Sequence, residues 1–134
     1  MDRLSREQRS RLMARVRCAN TGPEMLVRRL VWKLGFRYRL HARDLPGKPD
    51  LVFRRSRRVI FVHGCFWHGH RCRWGRLPKS RDAYWRPKIE ATRRRDLVQA
   101  KALRRAGWSV MVVWQCQLKQ ISILEHRIRR FLDG

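Results

Sequence analysis

The run His63-Gly64-Cys65-Phe66-Trp67-His68-Gly69-His70-Arg71-Cys72 puts five metal-competent side chains within ten positions. Cys116 supplies a further thiol downstream. Three cysteines and one histidine make a closed tetrahedral zinc site of the structural type. Cys65, His70, Cys72 and Cys116 would fit it, although spacing alone does not decide between His68 and His70. The plainer reading makes Cys65 and Cys116 small buried hydrophobes and leaves the histidines at the surface. A histidine not spent on zinc, beside a metal-pinned loop, has the basicity to take a proton from water. Its plainer role in a basic protein is a phosphate contact. Cys18 has no companion donor nearby and reads as a free thiol.

A second constellation is Lys48-Pro49-Asp50-Leu51-Val52-Phe53. Proline fixes the entry, an aspartate stands at the start of an apolar strand, and a second strand follows within a few residues. Asp50 is then held at a sheet edge, where a carboxylate can bind Mg²⁺. Glu24 and Asp96 have local explanations: Glu24 completes a capping box after Thr21, and Asp96 follows Arg93, Arg94 and Arg95 in a helix. Asp50 has no such neighbour beyond Lys48, and its plainer role is a turn aspartate. A third signal is aromatic. Phe66, Trp67, Trp74, Tyr84 and Trp85 lie in or beside the metal-rich loop, where apolar wedges could unstack bases. Trp32, Trp108 and Trp114 fall on periodic apolar faces and are expected in the core.

These groups need elements to hold them. Thr21-Gly22-Pro23-Glu24 opens a helix whose Leu26, Leu30 and Leu34, flanked by Val27 and Val31, form one buried face, and Gly35 ends it. Short strands are expected at Phe36 to Leu40, Leu51 to Phe53 and Val59 to Val62. A helix from about Tyr84 to Ala106 has Pro87 in its first turn and Gly107 past its end. Trp108 to Trp114 reads as a buried strand, and Ile121, Leu124, Ile128 and Leu132 as a last amphipathic helix. This order predicts an α/β domain, a mixed sheet with helices on both faces. Residues 1–20 form a separable basic arm, which could fold as a thin amphipathic helix or order on a nucleic-acid backbone. Residues 21–134 form the domain proper.

The chain has 134 residues, the length of one domain, with 34 basic and 10 acidic residues for a net charge of +24. Hydrophobic residues make up 43%, enough for a packed core, so this is not a disordered polycation. Such a charge exceeds what a small acidic metabolite needs and points to a polyanion, with nucleic acid foremost. The 28 arginines against six lysines favour bidentate phosphate and guanine contacts. No apolar run reaches the ~20 residues of a membrane span, and no signal peptide opens the chain, so a cytoplasmic location is expected. In that setting the cysteines are thiols or metal ligands, not disulfides.

Taken in order, Thr21-Gly22-Pro23-Glu24, Lys48-Pro49-Asp50-Leu51, the His63–Cys72 run, and Gly107-Trp108 through Val113-Trp114-Gln115-Cys116 resemble the very short patch repair DNA mismatch endonucleases. The resemblance implies a restriction-endonuclease-like fold with a structural zinc. It implies a Mg²⁺-dependent nick beside the T of a G:T mismatch, the product of deaminating a methylated cytosine. By position, Asp50 would bind Mg²⁺ and Val62 would offer its backbone carbonyl. His68 would be general base with His63 assisting, while Glu24 and Asp96 would hold water on the metals. Zinc would take Cys65, His70, Cys72 and Cys116. Phe66, Trp67 and Trp85 would form the wedge at the mismatch, with Met13 of the arm entering from the other groove. A monomer suffices to nick one strand, and other mismatch-repair proteins are conceivable partners.

Three positions depart from the pattern. The strand after Asp50 reads Ile60-Phe61-Val62-His63, where related nucleases place a second carboxylate and a lysine; only histidine-assisted chemistry works with it. Val62 replaces a threonine and Gly69 a histidine. The rival readings are a zinc-stabilised DNA-binding module without catalysis, and a nuclease of the same fold acting on another nucleic-acid structure.

Overall fold

The computed structural model describes residues 22–65, 68, 70 and 82–134. The arm with Met13 and Cys18, and Phe66, Trp67, Cys72 and Trp74 of the loop, lie outside the described residues.

Helix α1 spans Gly22–Lys33. Val27 and Val31 are fully buried and Leu30 nearly so, as the four-residue recurrence requires. Leu26 departs from that expectation. It stands about 100° round the helix from Val27 and is 47% exposed. Glu24, one turn before Val27 and Arg28, shares the buried face instead. The helix ends as Gly35 predicts: at φ 98° its N–H reaches the Trp32 carbonyl at 3.0 Å, and the Phe36 N–H reaches Val31.

Among the described residues four strands form one sheet in chain order: β1 (Arg39–Leu40), β2 (Leu51–Phe53), β3 (Arg58–His63) and β4 (Ser109–Trp114). The first two pairings are antiparallel and β3–β4 is parallel, which gives the expected mixed sheet. A parallel pair needs a long crossover, supplied by α2 (Asp82–Arg105). This helix starts two residues earlier than expected, so Pro87 lies in its second turn. It closes at Gly107 (φ 91°), with the Gly107 N–H on Arg104 and the Trp108 N–H on Leu103, both at 3.0 Å. A 3-10 turn (Gln115–Lys119) leads to α3 (Ile121–Asp133), which buries Leu124, Ile128 and Leu132.

The sheet separates two cores. One face packs Leu51, Phe53, Ile60, Met111 and Val113 against α1 and α3. The other packs Val52, Val59 and Phe61 against Leu103 of α2. Three further expectations are corrected. β1 pairs over two residues only, because Phe36 and Tyr38 turn onto the first core instead of extending the ladder. β4 is not buried throughout: it alternates, with Met111 and Val113 inside and their neighbours partly covered. Trp108 packs on the second core, but Trp32 is 54% exposed with the Arg37 guanidinium 3.5 Å from its ring centre.

Candidate active site

Two clusters of titratable groups meet the C-terminal end of β3, one on each face. Period two explains the division: Ile60 and Val62 look toward α1, while Phe61 and His63 look toward α2. On the α1 side, Pro49 is fully buried and sets Asp50 at the entrance of β2. The Val62 N–H donates to Asp50 Oδ2 at 2.7 Å, so the carboxylate is tied to the neighbouring strand. The buried face of α1 brings Glu24 to the same place, with only 2% of the residue exposed. Its carboxylate accepts from Arg28 and lies 2.9 Å from His41 Nε2. Glu24, His41 and Asp50 each present a ligand atom within 4.8 Å of the others. A capping-box role is a local explanation of Glu24; burial against Asp50 is a tertiary one, invisible to a reading of neighbours in sequence.

Burial pushes the Asp50 carboxyl up to about 7, and the adjacent Glu24 carboxyl pushes the same way. The Val62 N–H and the Arg28 charge oppose the rise without cancelling it. Two carboxyls crowded in a poorly solvated corner are a site that a cation would relieve.

On the α2 side, His68 Nδ1 lies 2.6 Å from Asp96 Oδ2. The aspartate thus faces the imidazole, not Arg93, Arg94 or Arg95. The His68 ring lies flat on His63, with centroids 3.8 Å apart and planes within 1°. Burial, and then the charge of His68, hold His63 down to about 4, so it is neutral at pH 7. Its Nδ1 is buried and has no hydrogen-bond partner among the described residues. A cavity of about 300 Å³ opens here, lined by His63, His68, Asp96 and Trp114, with Arg93 and Arg104 among its walls. It has room for substrate atoms and water. Trp114, expected in the core, is a wall of this site: it stacks on His70 at 4.1 Å and meets His63 edge-on at 5.2 Å.

Beyond the dyad, the His68 N–H donates to the Gly64 carbonyl and the His70 N–H to the Cys65 carbonyl. Cys65 is fully buried, and Cys65, His70 and Cys116 form a group of potential ligands within 4.8 Å of one another. Cys116 Sγ is 3.6 Å from His70 Nδ1, and the Cys116 N–H points to Cys65 Sγ at 3.4 Å. Neither cysteine is in a disulfide. Three of the four expected zinc ligands are therefore together, and Cys72 lies outside the described residues. His70, not His68, is the histidine grouped with the two thiols.

Of the expected wedge, Trp85 is described: half-buried on α2, it meets Tyr84 edge-on at 5.0 Å, and Lys88 Nζ lies over the Tyr84 ring. His41 is the site residue that sequence reasoning missed.

A family profile described as "DNA mismatch endonuclease Vsr" matches residues 1–74. The chain belongs to the Vsr family of DNA endonucleases. It is 58% identical, over 98% of its length and 97% of the relative's, to the "Type II nicking enzyme V.XorIIP" of Xanthomonas oryzae pv. oryzae. It is 39% identical over 98% of its length to the "Type II nicking enzyme V.NmeAIP" of Neisseria meningitidis, covering 94% of that protein. The "DNA mismatch endonuclease Vsr" of Escherichia coli is 37% identical over 83% of this chain and 71% of its own. As a Vsr-family member the chain is a hydrolase acting on DNA, with the restriction-endonuclease-like fold of that family. No helix among its described residues is long and apolar enough to cross a membrane.

Proposed function

We propose that this Vsr-family endonuclease nicks one strand of duplex DNA beside the T of a G:T mismatch left by deaminated 5-methylcytosine. The reaction is Mg²⁺-dependent phosphodiester hydrolysis that initiates very short patch repair. The observation that carries the chemistry is the two-faced end of β3: an oxygen-rich corner at Glu24 and Asp50, and a His68–Asp96 dyad reached through the next residue, His63. Mismatch recognition is supported by the name of the E. coli relative, and single-strand cleavage by the nicking-enzyme relatives.

The donor sets sort two metals by hardness. Asp50 and Glu24 carboxylates with the Val62 carbonyl suit Mg²⁺; Cys65, His70 and Cys116, with Cys72 as fourth ligand, suit Zn²⁺. Bound beside Asp50, Mg²⁺ would supply neutralisation of the charge on the scissile phosphate. Asp96 fixes the His68 ring by its Nδ1, so Nε2 is left to take the proton of the attacking water. Water adds to phosphorus, its proton passes to Nε2, the bond to the leaving sugar oxygen breaks, and that oxygen takes up a proton from solvent water. His63, held neutral, keeps a second positive charge away from that proton. Phe66, Trp67 and Trp85 act as the wedge, Met13 enters from the opposite groove, and the basic arm 1–20 adds phosphate contacts to a chain of charge +24. Unstacking is cheapest at a mismatch, which gives the wedge its selectivity.

The test is an end-labelled duplex with one T opposite G, set in several methyltransferase-type sequences, against its fully paired twin. A single nick beside that T, requiring Mg²⁺ and absent from the twin, is the expected result. Equal cutting of the twin rejects mismatch specificity; tight binding with no cut in any context rejects the reaction.

The raised Asp50 carboxyl adds a pH prediction. Its folded value of about 7 lies above the ordinary 3.8. Its protonated form therefore contributes stability that is complete below pH 3.8 and lost as pH rises through about 7. In metal-free protein, wild type should lose stability relative to Asp50→Asn across that window, by a few kcal/mol at most. Mg²⁺ binds the ionised form, so its affinity should fall about tenfold per pH unit below about 7. Chemical denaturation at a series of pH values, with and without Mg²⁺, checks both signs.

A further inference from the structure

The β1–β2 ladder pairs Arg39 with Val52 and Leu40 with Leu51, so the next step sets His41 opposite Asp50. The His41 N–H continues the ladder, donating to the Asp50 carbonyl at 3.2 Å. Yet the backbone of His41 leaves strand geometry there, at φ 47°, in the left-handed region that a residue with a Cβ seldom adopts. Local strain of this kind persists where surrounding contacts hold it, and it clusters at functional sites. The contact that holds it is direct: His41 Nε2 lies 2.9 Å from Glu24 Oε2 and 3.4 Å from Arg28 Nη2. An ionised carboxylate only accepts, so the imidazole presents Nε2–H to it. Glu24 Oε2 is thereby held from two elements, by Arg28 of its own helix and by His41 of the hairpin.

We infer that His41 is a positioning residue for nicking: its Nε2–H fixes the Glu24 carboxylate against Asp50 and so sets the affinity of the Mg²⁺ corner. The inference rests on the Mg²⁺-dependent reading above. Groups that orient metal-site carboxylates without touching the metal typically change metal affinity or activity by roughly ten- to a hundredfold. A hydrogen bond that served only to join β1 to α1 would move the melting temperature and leave the Mg²⁺ response alone.

The experiment compares full-length wild type, His41→Ala, His41→Phe and His41→Gln. Phenylalanine keeps the ring and drops the donor, which covers the case of an alanine variant that does not fold. Glutamine carries an amide N–H the same number of bonds from Cβ as Nε2. Two readouts are taken: the Mg²⁺ concentration for half-maximal nicking of the G:T duplex, and the rise in melting temperature of DNA-free protein with Mg²⁺. Removing the donor should move both curves to roughly tenfold or more higher Mg²⁺, with duplex affinity in Mg²⁺-free buffer unchanged. Glutamine should restore them to within a few-fold. In a Glu24→Ala background, losing His41 should change nothing further, because its effect passes through Glu24. A wild-type Mg²⁺ response in folded His41→Ala or His41→Phe overturns the inference alone, as does an additive loss in the double variant. A wild type that neither nicks nor responds to Mg²⁺ overturns the functional reading, and this inference with it.

Discussion

Asp50→Ala should reduce nicking by roughly 10³-fold or more, which corresponds to ~4 kcal/mol of lost transition-state stabilisation, while mismatch affinity stays within a few-fold. Asp50 combines a fixed position, through the 2.7 Å bond from the Val62 N–H, with a charge that the fold disfavours in the absence of a cation. Glu24 cannot replace it, because its described contacts with Arg28 and His41 already hold it on α1. The variant removes a group facing the proposed metal corner and none of the arginines expected to meet the DNA backbone. Single-turnover nicking beside equilibrium binding to the same duplex separates the two. Equal loss of binding and cutting would show that Asp50 anchors DNA, and the assignment of roles would fall. Asp50→Asn sharpens the result, since its amide oxygen still accepts from Val62: inert yet fully folded protein isolates the charge as the cause.

The second large effect belongs to Cys116→Ser. In the proposed four-ligand zinc site, loss of one thiolate should release zinc and cost ~3 kcal/mol or more, lowering the melting temperature by about 10 °C. The position explains the size. Cys116 is the second residue of the turn after β4, Cys65 follows β3, and His70 lies just beyond His68. Zinc would tie the ends of two parallel strands to the stretch that carries His68, so nicking should fall together with stability. Chelation of wild type should reproduce the variant, and chelating the variant should do nothing more. Zinc content by atomic spectroscopy with a melting curve decides it: full zinc and an unchanged melting temperature would remove Cys116 from the ligand set.

Most of the fold was legible from period alone. Val27, Leu30 and Val31 recur at helical spacing, β2 and β3 are short apolar runs between turn residues, and Gly35 and Gly107 mark helix ends by the left-handed backbone they adopt. What stayed hidden depends on contacts between elements. From its neighbours alone Glu24 has a sufficient explanation as a capping residue; the family resemblance put it at the metals, and the packing of α1 on the sheet sets it beside Asp50. His41 stands nine positions before Asp50, and only the hairpin register brings the two opposite each other. Trp114 satisfies the alternation of a core strand, but it is the last residue of β4, where the core gives way to three histidine rings. Asp96 likewise has arginine neighbours in sequence and a histidine partner in space.

The stack of His63 on His68 bears on turnover as well as on the chemical step. Two parallel rings 3.8 Å apart leave little room for two positive charges side by side, and burial keeps His63 neutral at pH 7. In the proposed hydrolysis the proton taken from water is matched by the one the leaving oxygen needs, so the pair has to carry a single proton through a turnover and none accumulates. The cavity of about 300 Å³ beside the dyad is where that exchange would meet water.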